Sequence, residues 1–359
     1  MSVQSFFNMI KQGVMRLRRT SPIALAITYS IMASISTATV AWIDNGIHQQ
    51  VLIINGREVL IRGLLDNYST VLDFILLNPA VIFFMQSAYL STLLTQKRMR
   101  KDSRVSPYHS IGLSILALFC GVVFMSLYFK GFLHGNFFTV MIAPDNTGHV
   151  RMTLTGWVTF LWTTIFIMFI LLRFGEQYQY TRFIITLRKS DIKYVPFHCD
   201  YVCGVRYLIN PTLKYTYGMI CLLIIFIIFI IQDNIIYNIN ESIRYVGFYI
   251  YVIIAIPFFC LPTYHLHKIM KSKYRDYSNK MDLMVRYLQS EQSVQSDVDN
   301  DKLREYLGKL DILEKYQRVL LSLPTWPLPV KTFAIPISSI IGALVPIVKQ
   351  LLHIDKLVP

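Results

Sequence analysis

Three polar side chains, Asp73, Asn78 and Gln86, sit in or beside one long apolar stretch of the chain. A carboxylate and two amides in such a place could line or gate a route for an ion. Polar groups inside hydrocarbon are costly and mark pathways, or else bond neighbouring helices. Asn78 and Gln86 are eight residues apart, a little over two helical turns, so they share roughly one face. That face should turn from lipid toward a partner helix or a wet cavity. The plain alternative is interhelical hydrogen bonding with no route at all. Asp73 is expected a residue or so inside the outer boundary, within reach of water. Pro79 frees a carbonyl that neighbours must satisfy.

A second cluster lies between Asp191 and Leu208, where His198, Cys199, Asp200 and Cys203 are all zinc-ligand types. A Cys-x3-Cys with one nearby histidine and no second pair is a weak zinc pattern. His198 and Asp200 are instead expected to shape a loop by bonding backbone, between the turn residues Pro196 and Gly204. No metal, cofactor or catalytic residue is expected. The chain has no Walker A loop, no Gly-x-Ser-x-Gly elbow, no His-Glu-x-x-His and no dinucleotide fingerprint.

The elements that must position these groups follow from composition. Hydrophobic residues make up 54% of the 359, and only 16% are charged, against roughly 25% in a soluble domain. The apolar residues fall in blocks long enough to cross a bilayer, which takes about 20 residues. An all-α integral membrane protein with six transmembrane helices is expected: Ile23–Ile43, Leu72–Leu94, Ile111–Phe129, Leu154–Leu172, Tyr215–Ile231 and Tyr245–Thr263. A seventh apolar segment, Phe333–Leu352, is interrupted by Pro336 and Pro346 and is expected to be re-entrant or membrane-associated. The block at 23 lacks a cleavage site, so no cleavable signal peptide is expected.

Charge sets the orientation. Lys and Arg number 28 in the N-terminal segment and alternate loops, against 5 in the others, which places the N-terminus and residues 267–331 in the cytoplasm. The net charge of +14 is thereby explained by topology, and nucleic-acid binding is not required. Five cysteines, three of them inside apolar blocks, do not form a disulfide framework. The division expected is a transmembrane bundle over 1–266, a cytoplasmic helical segment over 267–331 and a hydrophobic tail over 332–359.

Two turn-centred segments fall outside the membrane. Val51–Ile54 and Glu58–Ile61 flank Asn55-Gly56, and Phe137–Ile142 and His149–Leu154 flank Pro144–Gly148. Each suits a hairpin, and the two are expected to pair or pack together. In the first span, Ala26, Ser30, Ser34 and Ala38 recur every four residues beside Ala33, Thr37 and Ala41, so this face is expected to be buried against other helices, with the span packed inside the bundle. The fifth, nearly pure Ile, Leu and Phe from Leu222 to Ile231, is expected to face lipid. After the sixth, Met270, Tyr274, Tyr277, Met281, Met284 and Leu288 form an a/d stripe. It serves either a self-packed helical hairpin, with a second helix from about Lys302 to Leu321, or a homo-oligomer seam. Leu323 to Pro329, with Trp326 suited to the interface, ends that segment.

The stretch from Asp191 to Leu208 resembles the signature of a family of uncharacterised bacterial polytopic membrane proteins, roughly L-D-L-x-L-V-P-x-H-P-D-x-x-G-G-L-x-F-L. Asp191, Val195, Pro196, His198, Asp200, Gly204 and Leu208 fit it, while Cys199 stands for the proline, Cys203 for the first glycine and Val205 for the leucine. Trp157 through Arg173, Leu76-Leu77-Asn78-Pro79 and Trp326-Pro327-Leu328-Pro329 are similar to further stretches of that family, in order. The resemblance implies a multi-pass architecture in the bacterial inner membrane and carries no activity. Two functions compete: a pore, transporter-like or membrane-perturbing protein, conceivably a defence-type effector given the AT-rich residue usage, or a membrane-anchored cytoplasmic site around His198 and Asp200. A scaffold recruiting a partner through 268–331 is a third. The lipid bilayer is the one partner common to all.

Overall fold

The structure is a computed structural model. It describes residues 20–48, 50–54, 57–61, 63–65, 71–99, 119, 142–144, 150–189, 192, 203–237, 242–294 and helical positions within 304–318. The third apolar block, the loop with His198 and Asp200, and the tail from 319 lie outside the described residues, as does the peptide before Thr20.

Helix α1 spans Pro22–Ile43 and opens with proline in its first turn, where the missing N–H is harmless. Strands β1 (Gln50–Ile54) and β2 (Arg57–Ile61) follow as an antiparallel pair, with Ile54 opposite Arg57. The next span opens with one π-helical turn, Asp73–Leu77, and continues as α2, Asn78–Met99. Strands β3 (Ile142–Pro144) and β4 (Val150–Met152) form a second antiparallel pair. Helices α3 (Leu154–Thr186), α4 (Arg206–Tyr237) and α5 (Ser242–Val294) are the remaining long elements among the described residues. The two strand pairs are separate sheets. Among the described residues the expected pairing of one with the other is not seen.

Among the described residues, four helices are long and apolar enough to cross a membrane: α1, the π turn with α2, α3, and α4 from Arg206 to Ile225. Their exterior is apolar: Ile27, Ile31 and Ile35 on α1, Ile75 and Leu76 on the π turn, and Trp157, Leu161 and Ile165 on α3 are all exposed. Their interior holds Asp73, Asn78, Gln86, Arg173 and Gln177, all buried. A water-soluble globule has the reverse arrangement. α5 is 53 residues long, about 80 Å at 1.5 Å per residue, well over twice the roughly 30 Å of hydrocarbon. Much of it must therefore lie beyond the bilayer.

The cross-contacts fix how the helices run. Thr95 donates to the Tyr207 carbonyl, Lys214 to the Ser91 hydroxyl, and Phe84 stacks on Tyr217, so α2 and α4 are antiparallel neighbours. At their crossing, a Cβ on Gly218 would sit 2.9 Å from Met85 Cγ, a close approach that glycine permits. α1 and α3 are also antiparallel. Asp44, just past the end of α1, accepts from Thr155 N at 2.8 Å and from Thr155 Oγ1 at 2.7 Å. The first turn of α3 thus meets a carboxylate from another helix, with Thr153 as its own N-cap.

The apolar interior falls into two clusters. One, with Ala26, Phe74, Val81, Phe166 and Leu222, lies between α1, the π turn and the apolar lengths of α2, α3 and α4. The other, with Met99, Tyr180, Ile184, Leu208 and Leu266, lies where α2 and α3 end and α4 begins, against the middle of α5. Tyr180 donates there to the Leu208 carbonyl, and Lys189 pairs with Asp276 of α5. The turn into α4 has positive φ at Cys203 (57°) and Gly204 (80°), so a buried cysteine occupies a conformation that favours glycine.

On α1 the small-residue face is buried against its neighbours as expected, while the helix is not enclosed on its other side. Ala26, Tyr29, Ala33, Thr37 and Ala41 are buried, Ala38 is not, and the opposite face is exposed. A stripe of small residues marks one seam, not burial all round. For the stretch Leu222–Ile231, expected to face lipid, the described side chains are mixed, with Ile224 exposed. Leu222, Leu223 and Ile225 are in the core, because a central helix and a lipid-facing one are equally apolar when the solvent is hydrocarbon. The a/d stripe is graded: Met270 is buried, Tyr274, Tyr277 and Met281 are half-buried, and Met284 is exposed. The side chain of Leu288 lies outside the described residues.

Candidate functional site

The polar groups of the bundle gather at two levels of α2. The first is built by a proline. Pro79 has no N–H to offer the carbonyl four residues back, and its ring crowds that carbonyl. The chain widens there into the π turn, whose ladder runs from Asn78 N to the Asp73 carbonyl. The Ile75 carbonyl, which Pro79 cannot serve, accepts instead from Ser30 of α1 at 3.3 Å. π turns of this kind are frequent at functional sites.

Around this turn, Asn78 Nδ2 donates to Tyr29 Oη at 3.5 Å, and Tyr29 Oη donates to the Trp162 carbonyl of α3 at 3.3 Å. Tyr29 also meets the Trp162 ring edge to face, with centroids 5.5 Å apart. Trp162 Nε1 in turn donates to Ser36 Oγ at 2.7 Å. Asp73 is buried, 4% exposed, and its Oδ1 has no hydrogen-bond partner. The expected contact of this carboxylate with water is therefore corrected: the side chain is enclosed by the protein.

The second level is centred on an arginine. Gln86 is fully buried. Its Nε2 donates to the Thr20 carbonyl at 3.1 Å, and its Oε1 accepts from Arg173 Nη2 at 2.5 Å. Arg173, 5% exposed, gives Nη1 to the Glu176 carboxylate one turn on. Its guanidinium lies over the Tyr89 ring at 4.3 Å and the Phe169 ring at 5.0 Å, which stabilises a desolvated cation by roughly 2 kcal/mol. Arg173 Nε, Gln177 Nε2 and the hydroxyls of Thr181 and Thr212 are buried with no hydrogen-bond partner. Gln177 and Thr181 follow Arg173 on α3, and Thr212 is on α4.

Of the sequence candidates, the structure therefore places Asp73, Asn78 and Gln86 inside the bundle, on helix faces turned to α1 and α3. His198 and Asp200 lie outside the described residues. Among the described residues no three of His, Cys, Asp and Glu cluster as metal ligands. Arg173 was to be expected in a loop after the fourth span. It is 19 positions past Leu154, about 29 Å along the axis, so it still falls within a membrane's depth. Its signal was Glu176 at i+3, a partner that lets a cation remain buried. Tyr29 carried no signal beyond being the one phenol in a span of small and aliphatic residues.

Chemically, the second level is a neutral Arg–Glu pair with an amide on one side and spare donors on the other. The first level is a carboxyl group beside an amide and a phenol. Comparison with family models, with curated proteins and with solved structures finds no match.

Proposed function

We propose that the helix bundle is itself the working part, a pore, transporter-like or membrane-perturbing component of a multi-pass membrane protein. Asn78 and Gln86 then contribute to a polar path or gate. The observation that carries this is Gln86: fully buried and bonded to a buried arginine on a different helix. Ionisable groups at such depth ordinarily mark pathways and gates. In this reading the chain crosses six times, with a seventh apolar segment at the C-terminus. Its N-terminus and the length of α5 beyond the bilayer are on the cytoplasmic side of a bacterial inner membrane, and the Arg173 level lies toward that side. A defence-type effector is the role such a bundle would suit.

The test is ion flux through the reconstituted protein, compared with Asn78→Leu and Gln86→Leu. Flux that falls in both variants supports the path. Absence of flux in wild type under every trigger, or equal flux in all three, returns Asn78 and Gln86 to plain interhelical bonding.

A specific observation favours one second reading, a scaffold. Leu283, Met284 and Tyr287 of α5 are exposed and face Ile312 and Leu313 across an apolar groove of about 490 Å³. In that reading residues 268–331 recruit a partner, with the exposed end of the stripe at Met284 as part of the surface.

A further inference from the structure

We propose that Asp73 is the anionic member of a binding site for a small monovalent cation, delivered as an alkali metal ion or as a proton. The inference goes beyond the path proposed above and stands whether or not the bundle passes ions.

A carboxylate charge in a hydrocarbon interior must be neutralised, because leaving it unpaired costs far more than a fold can carry. No described side chain does so. α1 has no charged residue from Pro22 to Ile43, α2 has none between Asp73 and Lys97, and α3 has none from Leu154 to Leu172. α4 offers only the thiol of Cys221 and the phenols of Tyr215 and Tyr217 between Lys214 and Ile225. Its next charged position, Asp233, is itself acidic, with a side chain outside the described residues. Among the described side chains, the carboxylate of Asp44 is already bound to Thr155. Arg173 is bonded to Gln86, 13 positions along from Asp73, about 20 Å by helical rise and too far to serve. Tyr29 is within electrostatic reach of Asp73 and brings a hydroxyl, not a charge.

Buried oxygens without partners are found on Asp73 and on the helices α1 and α3. Asp73 Oδ1, Ser34 Oγ, Thr37 Oγ1 and Thr159 Oγ1 are buried without hydrogen-bond partners. The bond from Ser30 to the Ile75 carbonyl sets Asp73 beside this length of α1. Ser34 and Thr37 follow Ser30 by one and two turns, toward the same end. Pro79 and the π turn loosen backbone carbonyls at the start of the same span. A carboxylate, hydroxyls and unwound carbonyls at an interrupted helix are the ligand types by which membrane bundles hold Na⁺ or H⁺.

The full-length protein and Asp73→Asn are melted in detergent with sodium, potassium or choline chloride at equal ionic strength. Infrared spectra of both are recorded at neutral pH. A wild-type melting temperature several degrees higher in sodium or potassium than in choline, with no difference in Asp73→Asn, assigns the site to an alkali ion. No salt preference, with a neutral carboxylic-acid carbonyl band in wild type that Asp73→Asn lacks, assigns it to a proton. Neither a salt preference nor such a band overturns the proposal. If Asp73→Asn does not fold, Asp73→Ser replaces it, and ¹³C-aspartate labelling of wild type must shift the acid band.

Discussion

The bond between Gln86 and Arg173 can be measured apart from any flux. Replacing Gln86 by Leu keeps much of the volume while removing an acceptor from a guanidinium at 2.5 Å and a donor from the Thr20 carbonyl at 3.1 Å. Gln86 has no exposed surface, so water cannot take its place. A hydrogen bond to a charged group contributes about 1.5–3 kcal/mol and a neutral one about 0.5–1.5 kcal/mol in such surroundings. Gln86→Leu should therefore destabilise the bundle by roughly 2–4 kcal/mol. In the double-mutant cycle with Arg173→Met, only the charged bond is shared, and the coupling should be about 1.5–3 kcal/mol. Membrane interhelical bonds average about 0.6 kcal/mol because the unfolded helices find other partners in the bilayer. The larger figure is expected here since Arg173, held between two rings, cannot readily find another acceptor. Reversible unfolding in mixed micelles by a denaturing detergent reads all four corners of the cycle. A coupling near or below about 0.6 kcal/mol would show that the charge and burial of this pair add nothing to an ordinary membrane contact.

Two further outcomes follow from the packing. Asp44→Ala removes both bonds to Thr155 at the start of α3 and should cost about 1–2 kcal/mol, as loss of a helix cap does. Asp44→Asn should retain part of this, and equal stability of Asp44→Ala and wild type in the same unfolding assay would deny the cap. Gly218→Leu drives a side chain into Met85 where α4 crosses α2 and should cost roughly 1–3 kcal/mol. Gly218→Ala should cost less, because its close neighbour is the movable Cγ of Met85, and an Ala variant worse than the Leu variant would contradict the crossing.

Sequence and structure agree best where a polar residue interrupts an apolar run. Asn78 and Gln86 are visible because each would be stranded in lipid unless turned inward, and both are turned inward. They fail to agree where hydropathy has no contrast to offer. Leu222 and Leu223 look the same whether they meet acyl chains or Met219, so the centrality of α4 was hidden. The alanines and serines of α1 mark a close seam with its neighbours and are silent about the exposed isoleucines behind it. Arg173 was masked by its position. Counting cations by loop assigns it to the loop, though a residue at that depth can equally be held inside by Gln86 and Glu176. Asp44 gave no sign, since the helix it caps is more than a hundred residues away in the chain.

The π turn at Asp73–Leu77 also has a mechanical meaning. A π turn holds one residue more than an α turn, so the span keeps a residue of slack wound into its first coil. Letting that slack out into regular α-helix would spin everything before it by about 100° and advance it by about 1.5 Å, with α2 left still. Asp73 is the first residue of the turn. It therefore rides on the part that would spin, while Asn78 and Gln86 stay on the part that would not. A single residue of helical phase thus decides which way Asp73 is presented, and the bond from Ser30 to the Ile75 carbonyl at 3.3 Å ties α1 to the coil in its present phase.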